Sequence, residues 1–465
     1  MGRLDAVYAR LPHWAQHGAV SLYGAYWYWL RFGPGYAGYV DEYRARDRWT
    51  WAQWQDWQQE QLAELLPLAA QRVPYYREHW NAEQKAAAAA GCLRDLPLLG
   101  KEPLRAAPTA FLREDEAAAR NIVTATSGST GTPLSRLLTV AEMRRVLAIR
   151  EARSAGWAGV SFGQPRATFS GRMIEPDPAS RGPFHRFNLV ERQVYLSAFH
   201  LRPDTARQYL AALEQHGVRW LTGYAVSYSL LARMLIEQNL RATGVRAVIT
   251  TSEKVTPEMR AVMETAYQCR VFEEYSSVEN VMLATECEHG RLHVSPDAGV
   301  VELLREDGTP CAPGETGEVV VTGLMCKHQM LIRYRLGDVA RWDAAACPCG
   351  RQMPVLQEVV GRIEDVVIGP DGRELVRFHG IFVNQPHVRE GQIIQEALDR
   401  IRVKVVPVAG FNAADEADIT ARIQQRLGAQ VAVIVEAVAE IPRTKAGKFQ
   451  AVINRVTQAA QPRID

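Results

Sequence analysis

The sequence lacks an excess of charge of either sign. Its 54 lysine and arginine residues nearly balance 52 aspartate and glutamate residues, which leaves a formal net charge of +2. A protein that binds nucleic acid through the phosphates needs a basic face, so the composition predicts no nucleic-acid partner. The sequence also lacks an apolar run of the roughly 18–20 residues that a helix needs to cross a bilayer.

Cysteine is scarce as well, with seven residues in a chain of 465. Disulfide-stapled scaffolds are shorter and far denser in cysteine, so the sequence predicts no disulfide framework and favours a cytoplasmic protein. Four cysteines stand alone in the sequence and are expected to be small buried hydrophobic residues: Cys92, Cys269, Cys311 and Cys326.

The remaining composition is typical of a soluble globular protein, with 47% hydrophobic and 23% charged residues. It excludes a disordered, collagen-like or coiled-coil chain, and the length predicts two or three domains. Eight of the eleven tryptophans lie before residue 81, which predicts a tryptophan-rich helical start over about residues 1–95. Within it, one helical face is predicted to carry Trp54, Trp57, Leu62, Leu65 and Leu66.

From about residue 120, short β-rich runs alternate with helical stretches, which predicts an α/β body. Val300–Leu304 and Glu318–Thr322 flank a segment with Gly and Pro, and so predict an antiparallel hairpin. After Gly361, the pattern predicts a separate α+β unit. We therefore predict a core over residues 1–361 and a small C-terminal domain over residues 362–465.

The segment Leu11–Leu30 contains no Asp, Glu, Lys or Arg and is rich in tyrosine and tryptophan. Pro12, two histidines and the lack of a small-residue cleavage site argue against a signal peptide. We expect a helix packed on the body of the protein. The alternative is an aromatic helix that lies on a membrane surface.

The strongest local motif is a loop of glycines and hydroxyl residues, Thr126–Pro133, that directly follows a strand-like run. Glycines let the backbone approach a phosphate, while hydroxyls and free amides donate to its oxygens. The loop is not a Walker A motif, because no Gly-Lys-Ser/Thr closes it. The alternative is an ordinary flexible turn.

Four further segments carry residues suited to nucleotide chemistry. In residues 274–280, Tyr275 offers a plane for stacking and Glu279 a carboxylate for Mg²⁺. A second segment places Asp338 after a tight turn, where it can accept from ribose hydroxyls. Residues 361–365 lie at the predicted domain junction, and residues 441–448 form a basic loop. Alternatively, these residues form surface ion pairs and a solvated loop.

Five such motifs in this order resemble the adenylate-forming superfamily, which includes acyl-CoA synthetases, adenylation domains of peptide synthetases and beetle luciferases. The sequence is most similar to the phenylacetate–CoA ligase-like branch, especially its capsule-associated group, from residue 73 to Lys448. The resemblance implies an α/β fold: a large multilayer core with a β-barrel-like section, and a small mobile α+β C-terminal domain.

The resemblance also implies roles for individual residues. Tyr275 would stack on adenine, Asp338 would bind the ribose hydroxyls, Glu279 would bind Mg²⁺ and Glu364 would be the hinge. Other ATP-binding residues would be Thr126, Ser127, Gly128, Ser129, Thr130 and Gly131 around the phosphates, with Ser252, Glu253 and Lys254 at the adenine site. The catalytic cations would be Arg362 and Lys448, beside Glu279.

The implied reaction joins ATP and a small carboxylic acid to form acyl-AMP and pyrophosphate, and then transfers the acyl group. A CoA-like thiol is the favoured acceptor, and an amine is the alternative. The second alternative is a degenerate nucleotide-binding protein. Three departures from the usual pattern are Thr132 in place of Lys, Val278 in place of Ser or Thr, and a longer Pro-bearing stretch over residues 366–373.

Two short segments, residues 286–293 and 347–351, offer Cys and His side chains. Structural zinc is bound by four such ligands in tetrahedral geometry. Without a metal, they would be packed thiols. Members of the phenylacetate–CoA ligase-like branch carry similar segments, and some of them bind zinc there. The resemblance therefore implies a structural Zn²⁺ held by Cys287, His293, Cys347 and Cys349, with His289 as the substitute.

Overall fold

The structure is a computed structural model. It describes residues 8, 11–116, 121–125, 134–170, 174–175, 180–253, 255–359, 367–371, 374–375, 378–382, 385–441 and 452–458.

The chain begins with a group of helices. These are α1 (His13–Phe32), α2 (Tyr36–Arg46), α3 (Trp51–Arg72), α4 (Pro74–His79), α5 (Ala82–Ala89) and α6 (Lys101–Ala106), followed or interrupted by 3₁₀ turns at Leu93–Asp95, Pro108–Phe111 and Glu114–Glu116. Helix α3 starts at a capping box between Thr50 and Gln53, which satisfies two backbone amides. Its predicted apolar face is confirmed: Trp54, Leu62, Leu65 and Leu66 are buried, and Trp57 is half-buried.

A sheet of twelve strands forms the centre of the molecule. Its strands are β3 (Arg166–Ser170), β4 (His185–Asn188), β5 (Gln193–Ser197), β6 (Trp220–Tyr224), β7 (Ala247–Thr251), β8 (Arg270–Ser276), β9 (Leu283–Glu286), β10 (Leu292–Val294), β11 (Gly299–Leu304), β12 (Thr316–Gly323), β13 (Tyr334–Trp342) and β14 (Val355–Val359). Their spatial order is β11-β12-β13-β14-β10-β9-β8-β7-β6-β3-β5-β4.

The sheet has two halves of different topology. Strands β5, β3, β6, β7 and β8 run parallel, with β4 antiparallel at the edge. The strands from β9 to β14 pair antiparallel, and β8 joins the halves through an antiparallel ladder with β9. The section predicted to be barrel-like is therefore the antiparallel half of one continuous sheet, and the predicted β11–β12 hairpin is present.

Alternate residues of the parallel strands pack on opposite faces. On one face, Leu221 and Val248 contact helices α8 (Ala206–Gln215), α9 (Ala225–Glu237) and α10 (Pro257–Tyr267). On the other face, Trp220 and Ile249 pack near a π-helical turn, Glu151–Ala155. That turn continues helix α7 (Val140–Arg150), and Ala198–His200 forms a 3₁₀ turn. Burial on both faces explains the continuous apolar runs of these strands.

The C-terminal residues form a second sheet, in the order β19-β18-β17-β20. Its elements are β17 (Val388–Ala397), β18 (Arg400–Pro407), α11 (Ala413–Leu427), β19 (Ala432–Ala437), β20 (Val452–Asn454) and α12 (Arg455–Gln458), preceded by a small hairpin of β15 (Val367–Ile368) and β16 (Glu374–Leu375) and a 3₁₀ turn at Phe378–Phe382. Helix α11 buries Ile419, Ile423 and Leu427 in this unit's own core.

Two of the four lone cysteines that were expected to be buried are not. Cys311 and Cys326 are buried as expected, but Cys92 is exposed and Cys269 is only half-buried. Both of these exceptions follow the end of a helix, where the chain turns at the surface. Among the helices that the structure describes, none is long and apolar enough to span a membrane.

Candidate active site and metal centre

The carboxyl ends of the parallel strands meet at one edge of the sheet. The strand register pairs Thr251 of β7 with Glu274 of β8. The next residue of each segment, Ser252 and Tyr275, therefore lies at the same edge of the sheet. Ser252 adopts a φ of 70°, and Asn280 a φ of 52°. Such values cost a non-glycine residue about 1–3 kcal/mol and are concentrated at functional sites. This edge is also where ligands bind in open α/β sheets.

Two side chains predicted to bind adenosine are in direct contact. The Tyr275 hydroxyl donates a hydrogen bond to Oδ2 of Asp338 at 3.0 Å. Tyr275 lies on β8 and Asp338 lies on β13, so the contact joins the two halves of the sheet. The bond holds the ring and the carboxylate in a fixed relative orientation. A site that binds a base and its ribose at the same time requires such an orientation.

The predicted Mg²⁺ ligand is also held in place. Glu279 lies in the turn after β8, is buried, and accepts a hydrogen bond from the Tyr334 hydroxyl at 3.0 Å. Buried carboxylates are costly unless they are paired or bind a metal. The carboxylate oxygens of Glu279 are therefore suitable ligands for a hard divalent cation.

A cavity of about 400 Å³ opens at the same edge of the sheet, where Thr251, Ser252 and Ser276 line it. One part of its wall is apolar and includes Phe162, Trp220 and Ile249. The other part is polar and contains Arg150, Ser154, Thr222, Glu274, Ser276 and Ser277.

A hydrogen-bonded network forms the polar wall. Glu274 accepts from Nε of Arg150 at 3.1 Å, from Ser154 at 2.6 Å and from Ser276 at 3.0 Å. The Ser277 hydroxyl differs, because it is buried and has no hydrogen-bond partner in the described part of the chain. It is therefore available to a ligand in the cavity.

Sequence reasoning missed Arg150 and Ser154. They lie on helix α7 and its π-helical continuation, outside every motif. A π turn inside a helix often marks a functional site, but no sequence pattern announces it. Only the folded sheet brings these residues to Glu274.

Several predicted residues lie outside the described residues: the phosphate loop, Thr126–Pro133, and Lys254, Arg362, Glu364 and Lys448. The segments on either side of that loop form a hairpin of β1 (Ile122–Ala125) and β2 (Ser135–Leu138), which pairs Ala125 with Ser135. Thr124 of this hairpin lines the cavity.

Glu253 makes a contact that its sequence motif did not predict. It is buried, and its Oε2 accepts from the backbone amide of Val226 at 2.9 Å, in the first turn of α9. A carboxylate there compensates the positive end of the helix dipole. Glu253 therefore positions helix α9 next to the predicted adenine site.

The four predicted zinc ligands converge on one point. The ligand atoms of Cys287, His293, Cys347 and Cys349 all lie within 4.8 Å of one another. The sulfurs of Cys287 and Cys347 are 3.6 Å apart, whereas a disulfide needs about 2.05 Å and tetrahedral zinc with Zn–S of about 2.3 Å spaces sulfurs at about 3.8 Å. The substitute ligand, His289, is not part of this group.

Two similar turns present the cysteines. The amide of Gly290 donates to the Cys287 carbonyl at 2.9 Å, and the amide of Gly350 donates to the Cys347 carbonyl at 3.2 Å. Both glycines have positive φ, at 73° and 79°, which explains the residue type. The amide of His289 also donates to Sγ of Cys287 at 3.4 Å, a contact that stabilises a thiolate.

The protonation of the cluster depends on a cation. Burial lowers the pKa of His293 to about 4, so its imidazole is a neutral ligand at pH 7. Burial, with hydrogen bonds in which the Cys347 thiol keeps its proton and donates to the neighbouring cysteines, raises the pKa of Cys347 to about 12. A bound cation reverses this preference, because coordination stabilises the thiolate. The donor set thus fits zinc.

Parts of this chain are similar to known proteins. Residues 368–455 match the family model described as the CapK C-terminal domain. Protein CapK of Staphylococcus aureus is 26% identical over 345 residues, which cover 71% of this chain and 74% of that protein. Phenylacetate-coenzyme A ligase of Thermus thermophilus is 32% identical over 89 residues, 18% of this chain and 20% of that protein.

Solved structures of 2-hydroxyisobutyryl-CoA ligase share the fold. The structure with 2-HIB-AMP and CoA in the thioesterification state has a TM-score of 0.58 at 20% identity and covers 89% of this chain and 93% of that chain. The structure in the postadenylation state with R3-HIB-AMP has a TM-score of 0.55 at 21% identity, over 89% and 92%.

Proposed function

We propose that this chain, a relative of CapK with the fold of the adenylate-forming ligases, uses ATP to activate a small carboxylic acid as acyl-AMP. The observation that supports this most directly is the hydrogen bond between Tyr275 and Asp338. It brings together the side chains assigned to adenine and ribose, at the sheet edge that also borders the cavity.

The proposed chemistry is electrostatic. A carboxylate that attacks the α-phosphorus brings negative charges together, so cations fixed where charge develops lower the barrier. Lys448 would bridge the acid and the α-phosphate, with Arg362 near the ribose. Glu279 would hold Mg²⁺, which neutralises charge on the phosphate oxygens. No nucleophile from the protein is needed.

A first experiment tests adenylation itself. Carboxylate-dependent exchange of labelled pyrophosphate into ATP, measured across aryl, aliphatic and hydroxylated acids, should show exchange with one class. Lys448→Ala should lower the exchange rate by about 10²- to 10³-fold. A folded protein with Mg²⁺ that exchanges with none of these acids would favour the degenerate alternative, for which Thr132 and Val278 are the sequence arguments.

We also infer that the acid carries hydrogen-bonding groups beyond its carboxylate. The cavity presents the hydroxyls of Ser154, Ser276 and Ser277 on one side, and the Ser277 hydroxyl has no partner among the described residues. A site built to hydrogen-bond a substrate strongly disfavours the analogue that lacks the group. An unfunctionalised alkyl acid would leave the Ser277 hydroxyl without a partner, whereas Ser154 and Ser276 already donate to Glu274.

Matched acids test this inference. For pairs such as butyrate and 3-hydroxybutyrate, the hydroxylated member should have a kcat/KM higher by about tenfold or more. Ser277→Ala should reduce that ratio without changing the melting temperature. Ser227→Ala is the matched control, since it also removes a buried hydroxyl without a described partner, but on helix α9. A preference for the unsubstituted acid would contradict the inference while leaving adenylation intact.

For the second step, we propose transfer to a CoA-like thiol, with an amine as the alternative. Structures of the same fold hold an acyl-AMP and CoA, which supports the thiol. The longer stretch over residues 366–373 and the CapK relationship support the amine. Mass spectrometry of products formed with CoA, amino sugars or amino acids separates the two.

The domain organisation remains part of the proposal. We propose a core over residues 1–361 and a lid over residues 362–465. The lid would rotate at Glu364 between adenylation and acyl transfer, as in other enzymes whose domains close over the substrate. The C-terminal sheet with its own core supports this division. Proteolysis near residue 361, slowed by ATP and acid, would test it.

We further propose that Cys287, His293, Cys347 and Cys349 hold a structural Zn²⁺. The site joins the β9–β10 hairpin to the connection between β13 and β14, and thus links two segments that are distant in sequence but neighbours in the antiparallel half. One zinc per chain in the purified protein, measured by elemental analysis, is the expected result.

A further inference from the structure

Helix α1 has an exposed aromatic face. Six of its large hydrophobic side chains are between 42% and 79% exposed. They are Trp14, Leu22, Tyr23, Tyr26, Tyr28 and Trp29. A soluble protein rarely leaves so many large apolar groups together on its surface.

The exposed surface continues onto a second element. The turn between β4 and β5 carries Leu189 and Val190, which are 67% and 40% exposed. The amide of Leu189 donates to the Ser21 hydroxyl at 3.1 Å, so this turn lies directly beside the helix. Together these two elements hold eight of the thirteen exposed large hydrophobic side chains among the described residues. We call this surface the aromatic patch.

The opposite face of helix α1 is firmly attached to the protein. Arg186 hydrogen-bonds the buried Gln16 side chain, and His17 accepts from the Phe187 amide at 2.9 Å. Arg31 forms an ion pair with Glu191 at 3.0 Å. At Gly24, a Cβ would lie 2.2 Å from the Asn188 side chain, so the helix and turn approach too closely for a larger residue. The aromatic patch is therefore the outer face of a docked helix.

We propose that the aromatic patch lies in the headgroup region of a lipid bilayer and holds the protein on a membrane surface. Within His13–Phe32 the one Asp, Glu, Lys or Arg is Arg31, so insertion of the outer face desolvates no charge. Five of the six exposed side chains on the helix are Trp or Tyr, the residues that prefer the membrane–water interface because they combine an apolar ring with a polar tip.

The edge of the aromatic patch suits lipid headgroups. Arg144 places its guanidinium 5.6 Å from the centre of the Trp29 ring and caps helix α1 by donating to Leu30 and Pro34 carbonyls. A fixed cation at the rim complements headgroup phosphates. The exposed face of a single helix is a convex ridge. A lipid surface can deform around such a ridge, whereas a protein partner would need a complementary groove.

Vesicle binding of the full chain tests the proposal. The wild-type protein should co-sediment with vesicles of phosphatidylcholine and phosphatidylglycerol, and binding should persist at about 0.5 M NaCl, where exposed charges are screened. Replacing Trp14, Leu22 and Trp29 together by Ser should reduce the partition coefficient by about tenfold or more. Leu398→Ser with Ile434→Ser is the control, since both are exposed in the C-terminal unit.

Pyrophosphate exchange and circular dichroism should be unchanged in both variants, because none of these residues lies at the proposed active site. Equal binding by the two variants, or no binding by the wild type, would overturn the proposal. A wild-type dimer that the triple substitution converts to monomer, measured by light scattering, would also overturn it and assign the aromatic patch to a second copy of this chain.

Discussion

The two halves of the central sheet share largely buried ion pairs but differ in their further chemistry. The parallel half contains Arg166 with Glu191 at 2.6 Å and Arg186 with Glu175 at 3.1 Å. The antiparallel half has a similar pair, Arg333 with Glu302 at 3.1 Å, and in addition contains the Cys287–His293–Cys347–Cys349 cluster. The proposed adenosine site lies where the halves meet, since Tyr275 comes from β8 and Asp338 from β13.

We expect stability and catalysis to depend on different sets of residues. Each half should respond to its own perturbation, protons for the parallel half and metal removal for the antiparallel half. The proposed reaction would need both halves and, in addition, the basic loop over residues 441–448. Four perturbations test this separation, and they are ordered by the size of the expected effect.

The largest effect is expected outside both halves. Lys448→Ala should lower the rate of pyrophosphate exchange by about 10²- to 10³-fold, because it removes a cation from the place where negative charge develops. The melting temperature should stay unchanged. Lys445→Ala, in the same basic loop, is the matched control and should retain exchange within about twofold. Similar losses in the two variants would show that the loop acts only through its overall charge.

Loss of the metal should affect the antiparallel half. Cys349→Ser should lower the zinc content and reduce the melting temperature by about 10 °C, because a structural metal contributes several kcal/mol to folding. Exchange at low temperature should persist. Cys92→Ser, which alters an exposed lone cysteine, should change neither quantity. If Cys349→Ser melts like Cys92→Ser, the cluster is a group of packed thiols.

A smaller effect is expected where the halves meet. Tyr275→Phe keeps the ring that would stack on adenine but removes the hydroxyl that orients Asp338. We expect the KM for ATP to rise by about five- to tenfold, with kcat little changed, because one hydrogen bond contributes about 1 kcal/mol. Tyr209→Phe removes a buried hydroxyl that donates to the Ser197 carbonyl at 2.7 Å, within the parallel half. It should lower stability and leave the KM for ATP unchanged.

The sequence was sufficient for the fold and for the resemblance to capsule-associated relatives such as CapK. The α/β class is confirmed because β-rich apolar runs that alternate with helical stretches report local structure, as the run Ala247–Thr251 does for β7. The resemblance drawn from five motifs is confirmed by the CapK relationship and the shared fold. The position of the Cys/His cluster was also predictable, since its ligands come in two short segments.

The polar wall of the cavity was not predictable. Arg150 and Ser154 reach Glu274 across more than a hundred residues of sequence, and no local pattern records such a contact. The exposure of helix α1 was equally out of reach. Its aromatic composition allowed either burial or contact with a membrane, and only the docking of Gln16 and Gly24 shows which face points outward.

Acid should weaken the parallel half by the smallest of the four effects. Burial, with the neighbouring His216, lowers the pKa of His185 to about 4, and burial also lowers the pKa values of His17 and His216. Between the ordinary value of about 6.5 and these lowered values, the unfolded chain binds more protons than the folded chain. The contribution of these three histidines to the free energy of unfolding is therefore fully present above pH 6.5 and declines as the pH falls toward 4.

The melting temperature measured between pH 7.5 and 5.0 tests this sign. His185→Gln should flatten the decline, because it removes the most strongly shifted imidazole of the group. The exposed His79→Gln serves as the control and should leave the slope unchanged. Zinc content should be constant over the upper part of this range, so that the decline reports the parallel half. An identical slope in wild type, His185→Gln and His79→Gln would show that the pH response arises elsewhere, and the chemical separation of the two halves would fail on the proton side.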